Sequence, residues 1–188
     1  MAECSEMEAS LALDGRVRLV LPLSNLLFIN WALWTTGTAL GQDEKWFGEI
    51  SGVSPAQARS LTDELRAVLY ALEGSPRFIS RVTGEYVPPL EPHKTGTAWD
   101  KLPNMEAENM PGRQVALTLP QEKLAVFPGL LEASLVYVAP HRSESEENDF
   151  SLRFAASTEE AEALANELRR LNWKMQVKGA KRFIHPPS

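Results

Sequence analysis

Residues 11–22 read LALDGRVRLVLP, and their pattern decides how the chain begins to fold. Leu11 and Leu13 before Asp14-Gly15, and Val17, Leu19 and Leu21 after it, alternate with the period of a half-buried strand. Asp-Gly between two such runs signals a β-hairpin, because glycine accepts the positive φ that a tight turn demands. Pro22 marks the end of the second strand. Ser24 or Asn25 then caps a helix over residues 26–40, LLFINWALWTTGTAL, which is apolar on nearly every side and so belongs in the core. A short helix is expected over residues 43–50. A longer one starts at Ser54-Pro55, carries Ala58, Leu61, Leu65, Val68, Leu69 and Leu72 at helical spacing, and stops at Gly74. Residues 77–82 and 85–87 read as a hairpin across Thr83-Gly84.

Beyond this first segment, residues 88–112 hold five prolines and no period of 2 or 3.6, as in a linker or long functional loop. Residues 113–188 read strand, helix, strand, strand, helix, strand. Val115, Leu117 and Leu119 alternate in the first strand, and a helix over 121–133 is interrupted at Pro128-Gly129. Strands are expected over 135–139 and 150–156, joined by the acidic loop 143–149. A near capping box at Ser157-Thr158-Glu159-Glu160 opens a helix to Leu171, whose stripe is Ala161, Leu164, Ala165, Leu168 and Leu171. Trp173, Met175 and Val177 alternate in a last strand. The expected class is α+β: a winged-helix-like module over 1–87, the 88–112 linker, and a module over 113–188 whose βαββαβ order resembles ferredoxin-like folds. These resemblances are of element order, which confers no function by itself.

The 188 residues fit one ordinary domain or two small ones, and 44% hydrophobic with 23% charged is a globular composition. Nineteen Lys+Arg against 25 Asp+Glu leave a net charge of −6. That sign opposes wholesale wrapping of nucleic acid or binding to an anionic membrane. Six of the basic residues (Arg169, Arg170, Lys174, Lys178, Lys181 and Arg182) lie after position 168 with no acid among them, so the rest of the chain carries −12. The first nine residues hold Glu3, Glu6 and Glu8 and no cation, unlike a signal peptide. The apolar stretch 19–34 is broken by Pro22, Ser24, Asn25 and Asn30, so no membrane span and a cytoplasmic location are expected. Cys4 stands alone, which excludes an internal disulfide and a zinc site needing two thiolates.

Few patterns point to chemistry. His93, His141 and His185 have no metal-ligand spacing, and there is neither a glycine-rich phosphate loop nor a GxSxG elbow. Glu44/Glu49, Asp63/Glu64 and Glu159/Glu160 are read as solvated faces or caps. No cofactor or metal is expected. Residues 44–69 have the order of a helix–turn–helix around Ser51-Gly52-Val53-Ser54, whose second helix would show a nucleic acid Gln57, Arg59, Thr62, Asp63 and Arg66. Residues 24–87 nonetheless hold five basic and seven acidic residues, a poor phosphate-binding surface. On the ferredoxin-like reading, Lys174, Gln176 and Lys178 share an open sheet face with Gln114, Ala116, Thr118, Ser151 and Arg153. Lys181 and Arg182 extend that basic surface, while Phe150, Leu152 and Phe154 face the other way. Solvated edge-strand lysines explain it equally well. Trp99, in a polar stretch with His93, Lys94, Asp100 and Lys101, either folds back on the core or anchors a partner.

The leading expectation is a non-enzymatic protein-binding or assembly factor using Trp99, Arg153, Lys174, Lys178, Lys181 and Arg182, with another protein as partner. One alternative is a nucleic-acid-binding regulator using Gln57, Arg59, Thr62 and Arg66, the basic tail, or both. A second is an enzyme whose site, at the seam of the modules, uses His93 or His141. Oligomeric state is left open by the sequence.

Overall fold

In a computed structural model, residues 7–39, 48–49, 51–72, 83–85, 91–138 and 158–184 are described. The chain is mixed α+β, with a four-stranded antiparallel sheet in the order β1-β2-β4-β3. The hairpin forms as the Asp14-Gly15 signal dictates. β1 (Glu8–Leu11) pairs with β2 (Val17–Pro22), Leu11 opposite Val17. The Gly15 φ of +86° and the Ala12 N–H donating to the Arg16 carbonyl at 2.8 Å close the turn. Asp14 accepts from the Arg16 backbone N–H at 3.0 Å and from its Nε at 2.7 Å.

β2 then pairs along its whole length with β4 (Gln114–Leu119), Val17 opposite Leu119 and Pro22 opposite Gln114. The two stretches that the sequence keeps apart on either side of 88–112 therefore contribute neighbouring strands to one sheet. β3 (Glu106–Met110), inside that expected linker, pairs with β4 across a turn at Gly112 (φ +75°) and Arg113 (φ +58°). EAENM has little intrinsic strand propensity. Pairing with β4 supplies its order, together with ion pairs that span β4: Arg18 to Glu108 at 2.5 Å and Arg16 to Glu106 at 3.1 Å. Such exposed pairs add little energy each. Between these crossing ion pairs Ala116 is buried, although it lies on the face away from the helices.

The other sheet face is the core. Val17, Leu19 and Leu21 of β2 and Val115, Leu117 and Leu119 of β4 all have zero exposure. Four helices cover them: α1 (Leu23–Ala39), α2 (Pro55–Ala71), α4 (Phe127–Val138) and α5 (Thr158–Ile184), with the single turn α3 (Gln121–Leu124) before α4. α1 lies on β2 and β4, α2 on β3 and α5 on β1, while α4 packs between α1 and α5. α2 starts with a full capping box: Gln57 N–H donates to Ser54 Oγ, and Gln57 Oε1 accepts from Ser54 N–H at 2.9 Å. Its end, capped at Leu72, falls just before Gly74.

Three expected elements come out differently. Residues 135–138 continue α4 instead of forming a strand, and residues 173–177 continue α5. Three alternating apolar residues are too few to fix a period of 2. Met175 is also four residues after Leu171, so it extends the helical stripe and is fully buried. The interrupted helix breaks at Ala125-Val126, and Pro128 sits in the first turn of α4, where its missing N–H costs nothing. Without strands at 135–138 and 173–177 the βαββαβ order does not form. The expected strand 150–156, the acidic loop 143–149, the short helix over 43–47 and most of the second hairpin lie outside the described residues; so do Cys4, His141, Arg153 and His185. No described helix is long and apolar enough to cross a membrane.

Candidate functional site

Two regions carry the chemistry-bearing side chains. The first surrounds Trp99. Thr97 caps the 3-10 turn Ala98–Lys101 by accepting from Trp99 N–H at 3.3 Å. Asp100 folds the preceding loop around its carboxylate, which accepts from Thr95 N–H at 2.9 Å, Gly96 N–H at 2.8 Å and Thr95 Oγ1 at 2.8 Å. Those bonds, led by the Thr95 backbone N–H, hold the Asp100 carboxyl below its ordinary 3.8. A depressed folded-state value means the loop gains stability above that ordinary value and loses it as pH falls through the depressed one. The amide signals of Thr95 and Gly96 should therefore hold their folded positions at pH 5 and collapse only below 3.8. A collapse centred above that value would show that Asp100 does not organise the loop.

So ordered, the loop lays Trp99 half-buried against the core. It walls a small cleft lined by Ser60, Glu64, His93, Trp99, Asn104 and Lys123 among others, with about 20 Å³ of space, enough for one water-sized group. The Trp99 indole N–H is buried without a hydrogen-bond partner. His93 is exposed at the mouth, its backbone N–H donating to Asp63 Oδ2 at 3.3 Å.

The floor of this cleft is a buried ion pair. Lys123 Nζ donates to Glu64 Oε2 at 2.7 Å, to Glu64 Oε1 at 3.0 Å and to the Pro103 carbonyl at 2.9 Å. Glu64 Oε1 also accepts from the Met105 N–H. The side chains are 3% and 4% exposed. Three bonds use every proton of the ammonium, so the pair is fully engaged in tying α2, α3 and the entry to β3 together. The sequence reading of Glu64 as a solvated carboxylate is corrected here. Its signal was present: Glu64 lies three residues after Leu61 and four before Val68, inside the apolar stripe of α2.

The remaining residues of the expected nucleic-acid helix do not form one exposed face. Thr62 is buried, its hydroxyl donating to the Ala58 carbonyl at 2.8 Å, and Gln57 is engaged in the capping box. Arg59 is exposed and Arg66 half-buried. Among the described residues no group of three or more His, Cys, Asp or Glu could hold a metal ion.

The second region is the outer face of α5. Arg169 pairs with Glu132 of α4, and Arg170 Nε donates to Glu167 at 2.8 Å. The guanidinium of Arg170 keeps the Glu167 carboxyl below its ordinary value. Lys174 is exposed, and Trp173 beside it is 67% exposed. Leu13, at the tip of the first hairpin, is the other large hydrophobic side chain that stands out in solvent among the described residues. A lone leucine on a turn is ordinary, whereas a tryptophan among cations on a long helix is not. Sequence reasoning missed Trp173 by placing it in a strand. Lys178, expected on a sheet face, and Lys181 and Arg182, expected beyond it, lie on the same helix.

Comparison with protein-family models, with curated proteins and with solved structures finds no match to this chain.

Proposed function

We propose that the protein is a non-enzymatic binding or assembly factor that holds another protein against the outer face of α5. The observation that carries this reading is Trp173, left 67% exposed on the helix that bears all six C-terminal cations. An indole in water forgoes a couple of kcal/mol of burial, at ~25 cal/mol per Å² of apolar surface. Tryptophan and arginine are also the residues that most often dominate protein interfaces. The basic helix and the −12 remainder give the molecule a dipole that orients and speeds encounter with a charged partner. Trp99, by contrast, packs inward and serves the fold.

The test is affinity capture from a lysate of the source organism, comparing the native chain with Trp173→Ala and Lys174→Glu. Both side chains are exposed, so neither change should disturb folding. Trp173→Ala should reduce capture of the specific partner at least about tenfold, the size of an interface anchor, with Trp99→Phe as a control that leaves it unchanged. Identical captured material from native and both α5 variants would refute the reading.

A further inference from the structure

We propose that the cleft beside Trp99 is a ligand site that takes one hydroxyl of a sugar ring against Ser60. The site is separate from the docking face of α5 and does not depend on it. Its floor and its mouth come from different elements. Ser60 and Glu64 lie one turn apart on α2 and are buried, as is Lys123 of α3, whereas His93, Lys94 and Asn104 are exposed around the opening. The floor pair is already engaged by the protein: both Glu64 oxygens and all three Lys123 protons are bonded internally. The Asp100 carboxylate is likewise taken by Thr95 and Gly96. What is left at the inner end is polar and uncharged. Ser60 is 6% exposed, and its hydroxyl finds no hydrogen-bond partner among the described residues; the Asn104 side-chain amide finds none either.

Charge, size and bonding capacity then name the ligand. The lining holds two carboxylates, Glu64 and Asp100, and two ammonium groups, Lys94 and Lys123, so with histidine counted as neutral it carries no surplus charge. An oxyanion entering it meets Glu64 and Asp100, and a cation meets Lys94 and Lys123, so neither sign is favoured over the other. A neutral ligand is repelled by neither pair. The space, about 20 Å³, admits one oxygen-sized group, with the remainder of the molecule lying across the mouth. A serine hydroxyl and an amide can each donate and accept. The group that answers both with a single oxygen is another hydroxyl, which reproduces the bonds of the water it displaces. Trp99, packed on the core and so fixed in place, gives the cleft a flat apolar wall. A sugar ring carries hydroxyls on its rim and C–H groups on its face, which match a polar floor beside an indole. A linear polyol supplies the hydroxyl without the rigid apolar face.

The experiment titrates the full, isotope-labelled chain with glucose, galactose and mannose and with their methyl glycosides. Nuclear magnetic resonance follows the amides of Thr95, Gly96 and Asn104 and the Trp99 indole N–H. At least one ring sugar should shift these signals saturably, with a Kd of about 1 mM, as for a small open site. Ser60→Ala, which removes only the hydroxyl, and Asn104→Ala, at an exposed position, should each weaken binding about fivefold, the size of one lost hydrogen bond. Sorbitol, inorganic phosphate and tetramethylammonium are the controls and should leave the signals in place. Tighter binding of a methyl glycoside than of its free sugar assigns the ligand to the end of a glycan. Equal or tighter binding of the free sugar assigns it to a monosaccharide, and both results uphold the site. No saturable shift with any sugar would overturn the proposal, since the cleft would then hold water alone. So would a control that shifts the same signals as strongly as the sugars, or a Kd unchanged in both variants.

Discussion

Lys123→Ala should destabilise the protein by about 3–5 kcal/mol, because it strands the Glu64 carboxylate in the interior with only the Met105 N–H to hold it. The Pro103 carbonyl loses its donor at the same time. Equilibrium denaturation in urea measures the change. The opposite substitution, Glu64→Ala, leaves the ammonium buried beside one carbonyl and should cost a similar amount. Removing both charges while keeping volume, with Glu64→Leu and Lys123→Met together, should recover most of the loss, since a buried pair is often no better than a well-packed apolar contact. A double variant as unstable as the sum of the singles would show that the two residues act separately. Either single change should also loosen the Trp99 loop before the rest, because Pro103 and Met105 enter β3 through this pair.

Gly129→Ala should cost about 1–3 kcal/mol through overpacking. A Cβ built on Gly129 lies 2.6 Å from the Ser51 carbonyl oxygen and 3.1 Å from its carbonyl carbon, so backbone would have to move. At Gly129 α4 passes directly against the turn before α2, and that turn is itself held by the Val53 N–H donating to the Ser51 hydroxyl at 3.3 Å. Thermal unfolding of Gly129→Ala against the native chain checks this. An unchanged midpoint for Gly129→Ala would show that α4 does not sit this close.

How much of this was legible follows from which forces act locally. The first hairpin, the capping box at Ser54 and the alternating run in β4 were readable because turn chemistry and short periods write them directly into neighbouring residues. The same holds for the stripe from Ala161 to Leu171. β3 was not readable: EAENM is ordered by β4 and by arginines about 90 residues away. The pairing of β2 with β4, which draws the two halves into one sheet, is equally non-local. Trp173 was misplaced because alternation over five residues satisfies a strand and a helix alike, and only Met175's distance from Leu171 separates them. Glu64 was misread by residue type, although its spacing already placed it among buried positions.

Hydrogen–deuterium exchange on the complex with the captured partner addresses the functional account most directly. Amides of residues 169–184 should slow on binding, while residues 93–104 around the Trp99 cleft exchange as they do in the chain alone. Slowing confined to the cleft, with α5 unchanged, would contradict it.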